Sequence, residues 1–177
     1  CHIKGNSVIG EECIIRENTT IEDSHIEDHV TIKSSTMLSS KVGARTTIGP
    51  YAYLRPKTVL GEDVKIGDFV EVKNAEIGNG SKASHLSYIG DAIVGKNVNI
   101  GCGVVFVNYD GKNKFKSIVE DNAFIGSNSN LVAPVTVKEG GYIATGSTVT
   151  VDVPEGALCV ARAREVIKEG WRTKKGL

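Results

Sequence analysis

Aliphatic side chains recur every six positions along most of this chain, separated by polar and glycine-rich stretches. Val42, Ile48, Leu54, Leu60, Ile66 and Val72 form one unbroken series. Ile77, Ala83, Ile89, Val94, Ile100 and Phe106 continue it, with five-residue steps at 72–77 and 89–94. After a gap of thirteen residues the series runs on through Val119, Ile125, Leu131, Val137, Ile143 and Val149. Four positions beyond most of them stands a small or β-branched residue, among them Thr46, Ala52, Val64, Ser81, Val98, Ala123 and Ser147. A six-residue period fits neither the 3.6-residue turn of a helix nor the heptad seam of a coiled coil. It fits a short strand followed by a corner. Three such units close a triangular coil of about 18 residues, and stacked coils bring equivalent strands ~4.8 Å apart in parallel sheets. The pattern predicts an all-β chain: a parallel β-helix in the form of a triangular prism, with the aliphatic residues inside.

The first third keeps the period less strictly, through Ile9, Ile15, Ile21, Ile26 and Ile32, and reads as the opening coils of the same solenoid. The gap before Val119 holds the polar run Asn108-Tyr109-Asp110-Gly111-Lys112-Asn113-Lys114, so residues 108–117 are expected to loop out of the prism. Past Val153 the period stops. Ala161 to Trp171 reads as a short helix, followed by a basic tail from Arg172 to Leu177. The expected organisation is a β-helix domain over 1–160 and a C-terminal helix and tail over 161–177.

Composition sharpens this picture. Of 177 residues 20 are Gly and only 6% are aromatic, which suits glycine-rich corners around a core too narrow for large rings. Lys and Arg number 21 against 21 Asp and Glu, a net charge of +0 that argues against a general nucleic-acid binder. No apolar run approaches the ~18 residues of a membrane-spanning helix, and no leader is apparent, so a cytoplasmic protein without membrane partners is expected. The chain begins at Cys1 rather than Met, and it is expected to be a piece of a longer protein. Cysteines at 1, 13, 102 and 159 have neither zinc-site spacing nor the look of a disulfide framework, so reduced thiols are expected. Charge is uneven beneath the zero sum: residues 55–118 hold 9 basic and 7 acidic side chains, against 5 and 7 in residues 1–54. The middle coils are the place to expect an anionic small ligand.

Stacking turns the count into predicted neighbours. Arg55 and Lys73 are eighteen apart, each just after an inward aliphatic, so they stack on one corner, where like charges call for a bridging anion. The five-residue steps shorten the next coils to seventeen, which sets Glu71 beneath Tyr88, Lys82 beside Asn99, and His85 between Asp68 below and Cys102 above. His85 and Tyr88 are expected on one face, roughly 10 Å apart at ~3.3 Å per residue, about the length of a sugar phosphate. An anion on Arg55 and Lys73 would then leave its other end at His85, and imidazole is suited to taking a proton from an amine near neutral pH.

Particular runs of residues also resemble one family. Leu54-Arg55-Pro56, Gly67 through Glu71 to Lys73, and Gly80 through His85 and Tyr88 to Asp91 carry the resemblance. So do Asn97-Val98-Asn99-Ile100-Gly101, Val107 through Lys114, Gly126-Ser127, Leu131 through Val135, and Lys168-Glu169-Gly170-Trp171. These are similar to the acetyltransferase domain of the bifunctional glucosamine-1-phosphate acetyltransferase and N-acetylglucosamine-1-phosphate uridyltransferase. The resemblance implies a left-handed β-helix of hexapeptide repeats and a homotrimer with active sites between subunits. It implies acetyl transfer from acetyl-CoA to the amine of glucosamine 1-phosphate, on the way to UDP-N-acetylglucosamine, with no metal in this domain. By position, His85 would be the general base, Arg55 and Lys73 would hold the phosphate, and Tyr88, Asn99 and Lys114 would complete the sugar-phosphate pocket. Asn108 and Tyr109 would border the acetyl group, while Ser127, Thr145 and Arg162 fall where the family binds acetyl-CoA.

Two positions depart from the family's pattern, since Cys102 and Thr145 both stand where an alanine is usual. The Cys102 backbone N–H remains a candidate donor to the thioester oxyanion, and a nucleophilic Cys102 beside His85 is the sharper alternative. Glu71 is a weaker candidate for orienting His85. Three other readings compete: a hexapeptide-repeat acyltransferase for a different amino sugar, a zinc β-helix of the carbonic-anhydrase type, and a non-catalytic β-helix. Of the four histidines only His85 lies in the central coils, whereas a zinc site of that type gathers three.

Overall fold

The computed structural model describes residues 1–176, and Leu177, the end of the expected tail, lies outside them. Nine coils stack into a parallel β-helix, and one face of the prism is a nine-stranded sheet, from Ile14–Ile15 to Leu158–Cys159. The other two faces belong to one fifteen-stranded sheet. They are joined because the strands Glu71–Ile77 and Tyr88–Val94 turn the corner between them without a break. Glu71–Ile77 accordingly pairs with Tyr53–Leu54 on one face and with Val59–Leu60 on the next. These two strands are the five-residue steps of the sequence, and a single left-handed residue makes each corner, Asn74 at φ 47° and Asp91 at φ 48°.

The hexad aliphatics face inward as expected. From Ile21 to Val153 they form one continuous core, each at most 3% exposed, with the small residues Thr46, Thr58, Ser81, Ser129 and Ser147 buried between them. Each buried Ile, Leu or Val contributes roughly 1.5–3 kcal/mol through apolar burial. The first coils continue the same ladders, with His2–Lys4 on Thr20–Glu22 and Ile14–Ile15 on Thr31–Ile32, while Ile9 and Ile15 are only partly buried at the open end of the stack.

Four expectations need correction. Phe106 is fully buried, so the core does take one large ring, in a stretch whose other buried residues include the small Ser117 and Ala123. The corners are not all glycine: Tyr51, Phe69 and Leu86 hold positive φ on one edge, with the Tyr51 and Phe69 rings stacked 5.3 Å apart. The repeating coil imposes that conformation on whatever residue arrives there. The extruded loop is shorter than 108–117, since Asn108 is 8% exposed and Ser117 pairs with Ala92 and Val135. Lastly, 161–170 is not helical, and only Trp171–Lys174 forms a single helical turn. Val166 and Ile167 are 81% and 83% exposed, so no apolar face is packed to stabilise a longer helix.

Candidate active site

The described chain presents two sets of functional side chains at the two edges of one face. The first is a cationic corner. Arg55, Pro56, Lys57, Lys73, Asn74, Asp91 and Lys114 line a cleft of about 400 Å³. Arg55 follows Leu54, which pairs with Val72, so the Arg55 N–H donates to the Val72 carbonyl (2.8 Å) and Arg55 lies beside Lys73. Its guanidinium donates to Glu71 at 2.9 Å and lies over the Tyr53 ring, and the hydrogen bond to Glu71 raises its pKa. Glu71 sits beneath Tyr88 in register, as counted, but its carboxylate serves Arg55.

Asp91 is the carboxylate inside this corner, 8% exposed. It accepts from the Asn74 amide at 2.5 Å and from the Asn108 amide at 2.5 Å, and the Asn108 amide also lies 3.3 Å from the Tyr88 hydroxyl. Residues 74, 91 and 108 are spaced seventeen apart and form one corner column. Gly90 keeps the space open, because a Cβ there would run into the Tyr88 hydroxyl and the Asn108 amide. Lys114 is returned to the cleft by its loop. Asp110 accepts from the backbone N–H groups of Lys112 (2.7 Å) and Asn113 (2.6 Å), and Tyr109 bridges to Lys114. The neighbouring Lys73 ammonium lowers the Lys114 pKa, while Asp91 and Tyr88 oppose that shift. Two lysines held this close are poised for a dianion.

The loop gives a pH prediction. Backbone hydrogen bonds from Asn113 and Lys112 hold the Asp110 pKa below the usual carboxylate value. A depressed folded pKa stabilises the loop above the ordinary carboxylate range, and that stabilisation is lost as pH falls through the depressed value. Asp110→Ala is expected to abolish this acid-dependent loss of loop protection in amide exchange and to loosen the loop at neutral pH; exchange unchanged from the parent would refute the turn's role.

The second set is a ridge along the opposite edge. His85 ends the strand Lys82–His85 in the nine-stranded sheet, and the corner at Leu86 then turns the chain onto the next face, where Tyr88 begins its strand. His85 and Tyr88 therefore flank a corner rather than share a face, because Leu86 takes φ 47° between them. His85 pairs with Asp68, and the two side chains meet, Nδ1 to Oδ1, at 2.5 Å. Cys102, Ser127 and Thr145 continue upward along this edge: Asn128 N–H donates to the Cys102 carbonyl and Gly146 N–H to that of Ser127. The Arg162 side chain passes Gly146 at the top. Inside this edge, in the positions just after Ile100, Ile125 and Ile143, stand the small residues Gly101, Gly126 and Ala144, and a Cβ on Gly126 would press on the backbone of Ile143 and Thr145.

Of the expected site residues, Arg55, Lys73 and Lys114 gather at the cleft, with Asn108 and Tyr88 linked to it through Asp91. His85, Cys102, Ser127, Thr145 and Arg162 line the ridge. Asn99 lies on the nine-stranded sheet between Lys82 and Phe124, away from the cleft, and Tyr109 is exposed on the loop with its hydroxyl on the Gly111 carbonyl. The sequence reading passed over Asp91 and Asn74, although their seventeen-residue spacing to Asn108 was there to be counted. Among the described residues no cluster of His, Cys, Asp and Glu is arranged to hold a metal ion, the four cysteines are free, and no helix is long and apolar enough to cross a membrane.

Fold and site together define a hexapeptide-repeat β-solenoid with a basic cleft at one edge and a histidine ridge at the other. The chain belongs to the family described as the GMPPB C-terminal domain, whose model matches residues 1–77 and 40–110. It is 73% identical over 173 residues to the bifunctional protein GlmU of Clostridioides difficile (strain 630), covering 98% of this chain and 38% of that protein. To the bifunctional protein GlmU of Alkaliphilus oremlandii (strain OhILAs) it is 70% identical over 99% of its length, again 38% of the relative. The chain thus spans well under half the length of these curated relatives. Among solved structures, the UDP-N-acetylglucosamine acyltransferase from Campylobacter jejuni matches with a TM-score of 0.67 at 20% identity, covering 90% of this chain and 69% of that one. That likeness attests the shared fold.

Proposed function

We propose that this chain is an acetyltransferase that uses acetyl-CoA to N-acetylate glucosamine 1-phosphate, giving N-acetylglucosamine 1-phosphate. The observation that carries the reading is the cleft in which Arg55, Lys57, Lys73 and Lys114 outnumber the carboxylates Glu71 and Asp91, at the other edge of the face from His85, whose Nδ1 meets Asp68. A sugar phosphate needs both ends: cations for the phosphate and a proton acceptor for the amine. The similarity to bifunctional GlmU proteins supports the substrate assignment, and a cytoplasmic setting agrees with it.

In this reading Lys73, Lys114 and Arg55 bind and orient the phosphate, with Asp91 fixing the Asn108 amide beside it. His85 takes the proton from the attacking amine as the nitrogen adds to the thioester carbonyl. The Cys102 backbone N–H lies one coil above His85, where it can stabilise the developing oxyanion, and CoA leaves as the thiol. The edge formed by the small residues Gly101, Gly126 and Ala144, bordered by Cys102, Ser127 and Thr145 and ending at Arg162, suits an extended thiol cofactor. Because Asn99 lies on the nine-stranded sheet and the ridge on the opposite edge of the face from the cleft, a complete pocket in this reading forms between copies, and the chain works as a trimer.

Two measurements address this. Incubation with acetyl-CoA and glucosamine 1-phosphate is expected to give the N-acetylated sugar phosphate by NMR, and recovery of unreacted substrate alone would remove the assignment. Arg55→Ala is expected to raise KM for the sugar phosphate roughly tenfold or more, as loss of a charge-assisted contact worth about 1.5–3 kcal/mol implies, while KM for acetyl-CoA stays put. An unchanged sugar-phosphate KM would move the phosphate elsewhere.

A further inference from the structure

On the basis of that acetyl-transfer reading, we propose that Asp68 is the positioning residue of the base: its carboxylate holds the His85 ring in the Nδ1–H tautomer, so that Nε2 faces the substrate amine with its lone pair free. Three observations converge on it. The Asp68 Oδ1 and His85 Nδ1 atoms are 2.5 Å apart. The contact rests on a local extension of the sheet, since Lys65–Asp68 and Lys82–His85 are four residues long whereas the other strands of the nine-stranded sheet have two, and their pairing runs through Asp68 and His85. Gly67 permits that extension, because a Cβ there would collide with the Ser84 carbonyl in the strand above.

No competing acid reaches the ring. The strand below His85 supplies Lys65 and Asp68, its own strand supplies Lys82, and the strand above supplies Asn99, with Cys102 beyond it. Glu71, the other carboxylate near this edge, is bound to Arg55. The hydrogen bond from His85 also holds the Asp68 pKa below the usual carboxylate value, which keeps this acceptor anionic at neutral pH. A neutral imidazole has one N–H and one lone pair, and an anionic acceptor on Nδ1 decides which nitrogen carries which.

Asp68→Asn keeps the size and removes the charge. It is expected to lower kcat roughly tenfold to a hundredfold, within the range of a misoriented base, while both KM values and the melting temperature stay at the parent's. Asp68→Glu, which keeps a carboxylate, is expected to recover part of that loss. In a His85→Ala background Asp68→Asn should cost nothing further. Independently of turnover, ¹⁵N NMR of the parent at a pH where the ring is neutral should show His85 protonated at Nδ1, and Asp68→Asn should shift protonation toward Nε2. Normal kcat in Asp68→Asn alongside an inactive His85→Ala would overturn the positioning role alone, as would an Nε2–H tautomer in the parent. Normal kcat in both variants would overturn the base assignment beneath it as well.

Discussion

Replacing His85 by Ala should lower turnover by roughly 10²–10⁴, the span expected for removal of a general base, and leave the fold intact. The side chain is exposed at the end of its strand, 57% accessible, and its one polar partner is Asp68, so its removal opens no cavity. The loss should fall on kcat, because Arg55, Lys73 and Lys114, the residues proposed to bind the phosphate, lie on the other edge of the face. Steady-state kinetics with a thermal melt on the same preparation separate the two effects. Near-normal kcat with a parent-like melt would eliminate His85 as the base. The nucleophilic Cys102 alternative is checked in the same way: Cys102→Ala should retain most activity, since the role given to that residue belongs to its backbone.

Phe106→Ala should be the most destabilising single substitution, at about 3–5 kcal/mol. Phe106 is 0% exposed and the largest fully buried side chain, stacked between the coils of Ile89 and Leu131. Because the strand Val105–Val107 leads directly into Asn108, the damage should reach the cleft as well. Chemical denaturation should show the loss as a lower midpoint, and an effect below about 1 kcal/mol, the scale of a surface change, would mean the core there is not tightly packed.

Much of this was legible in the sequence because a solenoid turns counting into contact. The eighteen- and seventeen-residue steps placed Arg55 beside Lys73, Glu71 under Tyr88, Lys82 beside Asn99 and Asp68 under His85, and the pairing agrees at each. Counting fails where the coil is not the governing constraint. It could not tell that the chain turns between His85 and Tyr88, because a hexad fixes spacing along the coil but not which residue absorbs the bend. Nor could it foresee that Asn108 stays in the stack: polar residues beside a loop read as loop, and only the buried Asp91 carboxylate explains why this one does not leave. Asn74 and Asp91 were hidden for a related reason, since Asn and Asp at a corner look like turn formers until their side chains prove to be bonded to each other. The tail misled through local propensity, which favours helix over 161–171 but has no packed face there to secure it.

The direct test of the account is the rate of CoA thiol release with different acceptors. Glucosamine 1-phosphate should drive release far faster than glucosamine, which has the amine but no phosphate for Lys73 and Lys114. Equal rates with glucosamine and glucosamine 1-phosphate would contradict it.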